Sequence, residues 1–175
     1  MSSVVISPYA DQWPAAFASV KEELHAAFAP VDVVVEHIGS TAVPGLVAKP
    51  VIDVLLGARA LADVEEKIEM LARQGYAYID KYERDLPMRR YFVKSNVHNL
   101  RVHLHAVELG SQFWRNHLTF RDALRADPGL AADYAALKLR LAVEFANDKS
   151  AYTAAKAPFI QSALSILHAE NDRSA

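Results

Sequence analysis

The chain has 175 residues, of which 52% are hydrophobic and 23% charged, and its formal net charge is −2 at pH 7. These values indicate one globular domain with a sizeable core, and they give no reason to expect nucleic-acid binding over a broad surface. The absence of cysteine excludes disulfides, thiolate metal sites and thiol catalysis. No apolar run approaches the roughly 18 residues of a membrane span and no signal peptide is recognisable, so we predict a cytoplasmic protein without membrane contact.

The N-terminal segment predicts an edge strand, a helix and two central strands. Val4–Ile6 is a short apolar run that ends before a proline, as edge strands do. Asp11 is a candidate N-cap for a helix that continues to about Ala29, and Trp13 lies on its apolar stripe, where we expect core. The apolar runs Val33–Ile38 and Val51–Leu56 then predict two buried strands.

The middle of the chain alternates between helix and strand patterns. Apolar residues at helical spacing predict a helix over Leu61–Gln74, with Gly75 as its stop. Tyr76–Ile79 is a weak strand. Met88–Lys94 and Leu100–Val107 are stronger strands, and the turn-rich residues between them predict a hairpin.

The last third of the chain is predicted to be helical. Three helices are expected, over residues 111–126, 130–146 and 149–168, with Asp127-Pro128-Gly129 separating the first two. No repeat or linker divides the chain, so residues 1–170 form one predicted domain and residues 171–175 a disordered tail.

The segment between the two central strands has the layout of a binding site. Gly39-Ser40-Thr41 offers backbone N–H groups and two hydroxyls where the chain leaves a strand, and glycine there allows a ligand to approach the backbone closely. Asp53 interrupts the second apolar run, and a buried carboxylate needs a cation, a metal or another partner. The simpler alternative is that the loop only turns the chain and Asp53 caps a helix.

One face of the predicted strand 100–107 is polar. Alternation places Arg101, His103 and His105 on that face, which therefore meets solvent or lines a cleft. The two histidines either contact phosphate or pair with Asp53 or Glu36. With His37 or Asp53 they would also suit a transition metal, although the spacing matches no known metal motif. His98 and His117 are expected at the surface.

A longer pattern around the loop resembles one protein family. Residues 37–46 read HIGSTAVPGL, and Ala48-Lys49-Pro50 and Asp53 follow. This pattern resembles the GrpB family, and the similarity continues through Phe120-Arg121, Tyr134, Lys138, Tyr152 and Lys156. The resemblance implies an α/β nucleotidyltransferase-like fold, with a mixed sheet of three to five core strands flanked by helices. Some family members are appended to a dephospho-coenzyme A kinase, and the family's activity is unsettled.

One position departs from the enzymes that share this fold. They usually carry a second acid two residues after the first, so that both carboxylates lie on one face of a strand and bind Mg²⁺. Here that position is Leu55. A single acid on the strand weakens the interpretation as an enzyme, because two-metal chemistry needs several oxygen ligands.

We therefore predict a protein that binds a nucleotide or another phosphorylated small molecule in a basic cleft. In the enzymatic form of this hypothesis, Asp53 is catalytic and holds Mg²⁺ for nucleotidyl transfer. The alternative is a non-catalytic module that assists a partner enzyme such as a coenzyme A synthesis kinase; a metal-dependent hydrolase using Asp53, His103 and His105 ranks third. The predicted ligand-binding residues are His37, Gly39, Ser40, Thr41, Lys49, Arg89, Arg90, His103, His105, Arg121, Tyr134, Lys138, Tyr152 and Lys156.

Overall fold

A computed structural model describes residues 3–97 and 100–174 of the chain. Within these residues, seven α-helices and five β-strands follow one another. In chain order they are α1 (Gln12–Phe28), β1 (Val34–Ile38), β2 (Val51–Ala58), α2 (Leu61–Glu65), α3 (Ile68–Arg73), β3 (Tyr76–Tyr78), β4 (Arg89–Val97), β5 (Leu100–Glu108), α4 (Gln112–Ala126), α5 (Pro128–Glu144), α6 (Lys149–Ala155) and α7 (Ala157–Ser174).

The five strands form one mixed sheet in the order β1-β2-β5-β4-β3. β2 and β5 are parallel neighbours, and the other three pairs are antiparallel. Asp53 on β2 is in register with Ile38 on β1 and with His103 on β5. This arrangement confirms the predicted mixed α/β sheet and places the acid of β2 beside a histidine of β5.

Helices α1, α2 and α3 cover one face of the sheet. Trp13, Val20 and Leu24 of α1 are buried in one apolar cluster with Ile52 and Val54 of β2. Trp13 is 1% exposed, which confirms that it is a core residue. The even-numbered residues of β2, and those of β5 from Leu100 to Ala106, all belong to this cluster, because side chains alternate along a strand.

The opposite face of the sheet is only partly covered. Trp114 of α4 packs so closely on Gly57 that a methyl group at residue 57 would lie 2.8 Å from the indole ring. Together with Leu55 and Val107, Trp114 forms a small second core on this face. Helix α5 packs beside it against the loop after β1, where Tyr134 joins a third apolar cluster. On this face the side chains of Asp53 and His103 remain partly exposed, at 30% and 27%, and several of the candidate site residues lie around them.

Three predicted elements differ from the structure. Residues Val4–Ile6 do not join the sheet: the Val4 N–H donates to the carbonyl of Ala146, beside the C-terminal helices, and only Ser7 forms an isolated bridge. The helix predicted over 61–74 consists of α2 and α3, separated by a turn at residues 66–67. The last predicted helix is divided before Pro158, since proline lacks the N–H that would continue α6.

Some expectations stay predictions. Helix α7 includes the backbone of residues 171–174, their side chains are not described, and Ala175 lies outside the described residues. The disorder expected for 171–175 is therefore untested. His98 and Asn99, in the predicted hairpin turn, also lie outside the described residues. Among the helices of the described residues, none has the length and apolar content needed to cross a membrane.

Candidate functional site

Asp53 lies directly beneath the glycine of the loop that follows β1. Gly39 has φ +71°, a left-handed conformation that glycine adopts without strain. A side-chain carbon at residue 39 would stand 2.5 Å from Oδ2 of Asp53, so only glycine lets the loop approach the carboxylate. A short 3-10 turn, Ser40–Ala42, then carries the chain away from the sheet. The structure thus brings the acid and the glycine-serine turn together.

Two histidines of β5 hold the carboxylate from the other side. Oδ1 of Asp53 lies 3.4 Å from Nδ1 of His103 and 3.9 Å from Nε2 of His105. Burial raises the pKa of Asp53, but the contacts with these two histidines lower it by more, so that the pKa lies well below its ordinary value. Arg89 Nη1 contacts Nδ1 of His105 at 3.1 Å. Because arginine only donates, that nitrogen accepts, and Nε2 carries the proton that faces Asp53. We call these four residues the histidine network.

The position of the missing second acid is apolar in three dimensions as well as in sequence. Leu55 lies on the same face of β2 as Asp53, is 0% exposed, and packs with Ile38 and Val107 beneath Trp114. Among the described residues, no group of three or more His, Cys, Asp or Glu side chains is arranged to hold a metal ion. The residues present therefore do not fit a two-metal centre. A single Mg²⁺ on Asp53 remains a prediction.

On the loop side of Asp53, a buried lysine contacts the serine of the turn. Nζ of Lys138, from α5, donates to Oγ of Ser40 at 2.8 Å and also to the carbonyl of Val47. Lys138 is 2% exposed and lies over the ring of Tyr134, 4.8 Å from its centroid. Burial, and secondly the charge of Lys156, lower the pKa of Lys138 to about 7. The charged form of the Lys138 amine is therefore less stable than that of an exposed lysine.

Two further lysines, Lys49 and Lys156, lie close to the ring of Tyr152. Lys49 Nζ is 3.9 Å and Lys156 Nζ 4.7 Å from the centroid of the Tyr152 ring. Burial is the main cause that lowers both pKa values, to about 8 for Lys49, while Asp53 partly offsets the effect in each case. We call Lys49, Lys138 and Lys156 the lysine cluster. In the part of the chain that the structure describes, none of the three forms an ion pair with a carboxylate.

Three of the predicted ligand-binding residues instead hold the loop in place. The Thr41 hydroxyl donates to the carbonyl of Val51 at 2.9 Å and accepts from Nε2 of His37 at 3.0 Å. His37 stacks on Phe17 of α1, and burial lowers its pKa to about 4. Arg121 donates to Glu36 at 2.6 Å and to the backbone carbonyl of His37 at 3.0 Å. These side chains stabilise the turn and do not line the open face around Asp53.

Arg90 lies apart from the other candidates. It follows Arg89 on β4, so alternation directs its side chain to the opposite face of the sheet. There it donates to Oε1 of Glu65, on α2, at 2.6 and 2.8 Å. We therefore leave Arg90 out of the candidate site, whereas Arg89 belongs to it.

The sequence-based prediction missed two aromatic residues beside the histidine network. The ring of Tyr91 lies 5.0 Å from that of His105 and 5.8 Å from that of His103. The alternation along β4, which places Tyr91 on the same face as Arg89, was the available sequence signal. His117 was expected at the surface, and this was wrong: it is half-buried, stacks on Phe113 and lies 6.4 Å from His105. Its spacing of four residues from Phe113 on α4 was the available signal.

A separate groove of about 540 Å³ lies on the far side of the loop. It is lined mainly by apolar side chains of the loop, α4 and α5, including Val43, Leu46 and Leu124. It contains none of the candidate site residues. The candidate site lies on the sheet around Asp53, between the lysine cluster and the histidine network.

The sheet order, the glycine-serine turn after β1 and the acid on β2 define a protein with the nucleotidyltransferase-like fold. A solved structure of a cytoplasmic RNA terminal U-transferase superposes with a TM-score of 0.53 at 10% identity, over 75% of this chain and 41% of that chain. At this level of identity the similarity shows the fold alone.

The particular family follows from closer relatives. The family described as GrpB protein matches residues 3–165, and the chain belongs to the GrpB family. The crystal structure of GrpB from Enterococcus faecalis has a TM-score of 0.85 and 30% identity, and the match covers 95% of this chain and 99% of that chain. The glutamate-rich protein GrpB of Alkalihalophilus pseudofirmus is 33% identical over 165 residues, which is 92% of this chain and 94% of that protein.

Other relatives are longer than this chain. The UPF0157 protein YqkA of Bacillus subtilis is 37% identical over 161 residues, which is 91% of this chain and 46% of YqkA. A protein of Mycolicibacterium paratuberculosis named dephospho-CoA kinase is 31% identical over 182 residues, which is 91% of this chain and 45% of that protein. The chain thus spans about half the length of these two relatives.

Proposed function

We propose that this GrpB-family protein binds a phosphorylated small molecule, a nucleotide in the first instance, in the cleft between the loop and β5. The observation that carries the proposal is the lysine cluster: Lys138 contacts Ser40, Lys49 and Lys156 lie over the ring of Tyr152, and none of the three has a carboxylate partner among the described residues. A phosphate group would supply the negative charge that the cluster lacks, and the Ser40 hydroxyl would hydrogen-bond it.

The unfavourable electrostatics of the lysine cluster support this proposal. Burial lowers the pKa values of Lys49, Lys138 and Lys156, and the charge of Lys156 lowers those of the other two further, which means that the protein holds these charges at a cost. A structural role would favour neutralisation by a nearby acid. An anionic ligand removes the cost on binding, and perturbed charges in a cleft are typical of functional sites.

The histidine network favours binding over metal-dependent transfer. Asp53 is already partnered by His103 and His105, and Leu55 supplies no second carboxylate. We therefore expect that any nucleotide binds without two-metal chemistry. Arg89, whose buried Nε has no hydrogen-bond partner among the described residues, offers a further donor at this end of the cleft.

A second candidate function is that of a module that assists a partner enzyme. Two observations support it. Leu55 is a buried apolar residue where a catalytic acid would stand, and the similar region makes up 45% of the relative named dephospho-CoA kinase. In this case dephospho-CoA, which is itself a nucleotide, would be the preferred ligand. A screen in which nucleotides raise the melting temperature but yield no product would favour this candidate.

The test is calorimetric titration of the purified protein with ATP, ADP, AMP, dephospho-CoA and pyrophosphate, each with and without Mg²⁺. We expect binding that does not require Mg²⁺. The Lys138→Met variant should lose about 2–3 kcal/mol of binding free energy, or roughly 30–150-fold in Kd, because it removes a charged hydrogen-bond donor.

Arg90→Gln is the matched control, since Arg90 lies on the other face of the sheet. Its Kd should equal that of the wild-type protein. Absence of heat with all five compounds, or equal losses in Lys138→Met and Arg90→Gln, would contradict the proposal.

A further inference from the structure

The contact between Ser40 and Lys138 has the form of a nucleophile beside its proton acceptor. Their Oγ and Nζ atoms are 2.8 Å apart, within hydrogen-bond reach. The carbonyl of Val47 also accepts from Nζ, which fixes the direction of the amine. A nucleophile, an adjacent base and a third group that orients the base are the elements of serine-dependent covalent catalysis, in which lysine replaces histidine in several unrelated enzymes.

The surroundings of Lys138 favour its neutral form. The side chain is 2% exposed, and Lys156 adds a second positive charge nearby. Within the described residues no carboxylate contacts its ammonium group. An amine that is desolvated and placed beside another cation releases its proton at a pH where an exposed lysine does not, and its lone pair then becomes available.

Ser40 is partly exposed, and Lys138 is a better placed base for it than His37. Ser40 is half-buried and follows Gly39 at the edge of the cleft. His37, the base suggested by sequence proximity, is hydrogen-bonded to Thr41 and stacked on Phe17. On α5, Tyr134 lies one helical turn before Lys138, and burial raises the pKa of Tyr134, so its hydroxyl is not a competing base near neutral pH.

We propose that Ser40 is a nucleophile that attacks phosphorus in a phosphoanhydride, and that Lys138 takes up the serine proton. The Oγ–P bond forms as the bridging P–O bond breaks, and the leaving phosphate departs with the electron pair of that bond. The proton stays on Nζ, and the resulting ammonium stabilises the phosphoserine. Lys49 and Lys156 hold the anionic oxygens during the transfer. The phosphoanhydride in this inference rests on the proposed function, whereas the reactivity of Ser40 does not.

An activated phosphorus reagent tests the nucleophile directly. The native protein is treated with an alkyl fluorophosphonate, and the modified residue is located by peptide mass spectrometry. We expect a single adduct on Ser40, formed at a rate that rises with pH to a half-maximum near 7, the pKa of Lys138. Ser40→Ala should give no adduct, and Ser165→Ala, on the exposed surface of α7, should react like the wild-type protein.

The Lys138→Arg variant tests whether Lys138 acts as a base or only as a positive charge. Lys138→Arg keeps the charge but cannot accept a proton at neutral pH, so labelling of Ser40 should slow about 100-fold. Lys21→Met, an exposed residue of α1, is the control. Circular dichroism spectra verify that each variant is folded, and the pH profile of the wild-type protein tests the same base without any substitution.

The outcomes distinguish this inference from the proposed function. Pyrophosphate binding without Ser40 labelling overturns the nucleophile and leaves the binding proposal intact. Ser40 labelling without binding of any phosphate compound overturns the binding proposal, and the phosphoanhydride substrate with it, and leaves the reactivity of Ser40. Labelling at another residue, or labelling of Lys138→Arg at the wild-type rate, also overturns the inference.

Discussion

The two sides of Asp53 differ in how their charges are neutralised. On the β5 side, the carboxylate is matched by His103 and His105, and Arg89 fixes the orientation of His105. On the loop side, the lysine cluster contacts Ser40, Tyr134 and Tyr152, and no acid pairs with it among the described residues. One side is complete without a ligand, whereas the other has an excess of positive charge.

This difference separates stability from binding. Where every charge has a partner, removing one partner leaves a buried group unsatisfied, and the free energy of unfolding falls. Where like charges are held together without a partner, removing one of them relieves repulsion and mainly weakens the affinity for an anion. Substitutions in the histidine network should therefore mainly lower the free energy of unfolding, whereas substitutions in the lysine cluster should mainly weaken anion binding.

The largest expected effect is on the histidine side, where Leu55→Asp restores the acid that nucleotidyltransferases carry. The new carboxylate would lie in the apolar cluster beneath Trp114, so we expect the free energy of unfolding to fall by about 4 kcal/mol or more. Denaturant titration measures this loss. Leu55→Met, with similar volume, should cost less than about 1.5 kcal/mol. A melting temperature of Leu55→Asp that Mg²⁺ restores to the wild-type value would show that a metal site had formed there.

A smaller loss is expected when the carboxylate of the network becomes an amide. The depressed pKa of Asp53 contributes stability that is present at neutral pH and is lost as the pH falls through the folded-state pKa. Asp53→Asn should therefore lower the free energy of unfolding by about 1–3 kcal/mol at pH 7. Asp133→Asn, at an exposed position of α5, should change it by less than about 0.5 kcal/mol. Equal stability of Asp53→Asn and wild type would mean that the histidines do not stabilise the acid.

On the lysine side the expected effect is a pH dependence of stability, which is the smallest of the three when it is expressed per pH unit. The pKa of Lys138 falls from 10.5 to about 7 on folding, so between these values the unfolded chain binds more protons than the folded one. Stability should rise with pH in this interval, with a contribution of up to about 1.4 kcal/mol per pH unit. Lys138→Met removes the contribution, and unfolding curves from pH 7 to 10 measure the difference in slope. The control Lys21→Met should keep the wild-type slope. A wild-type slope in Lys138→Met would contradict the assignment.

Local patterns predicted the sheet, most of its helices and the composition of the cleft. Alternation on β5 directed His103 and His105 to one face, and the acid within an apolar strand identified Asp53. The same patterns could not decide which cations were free. Arg121 and Lys138 are both buried cations of C-terminal helices, yet Arg121 meets Glu36 across the fold and Lys138 meets Ser40.

The sequence by itself determined most strands and helices, the glycine-serine turn, the acid on β2 and the apolar residue at the second acid position, because these depend on residue type and on spacing along one element. The mixed α/β sheet was implied by the resemblance to the GrpB family. Only the tertiary structure decided that α5 brings Lys138 to Ser40, that the histidines of β5 occupy the carboxylate of Asp53, and that His37 and Arg121 stabilise the loop. Those contacts join residues far apart in the chain, and whether a charge has a partner depends on where distant elements pack.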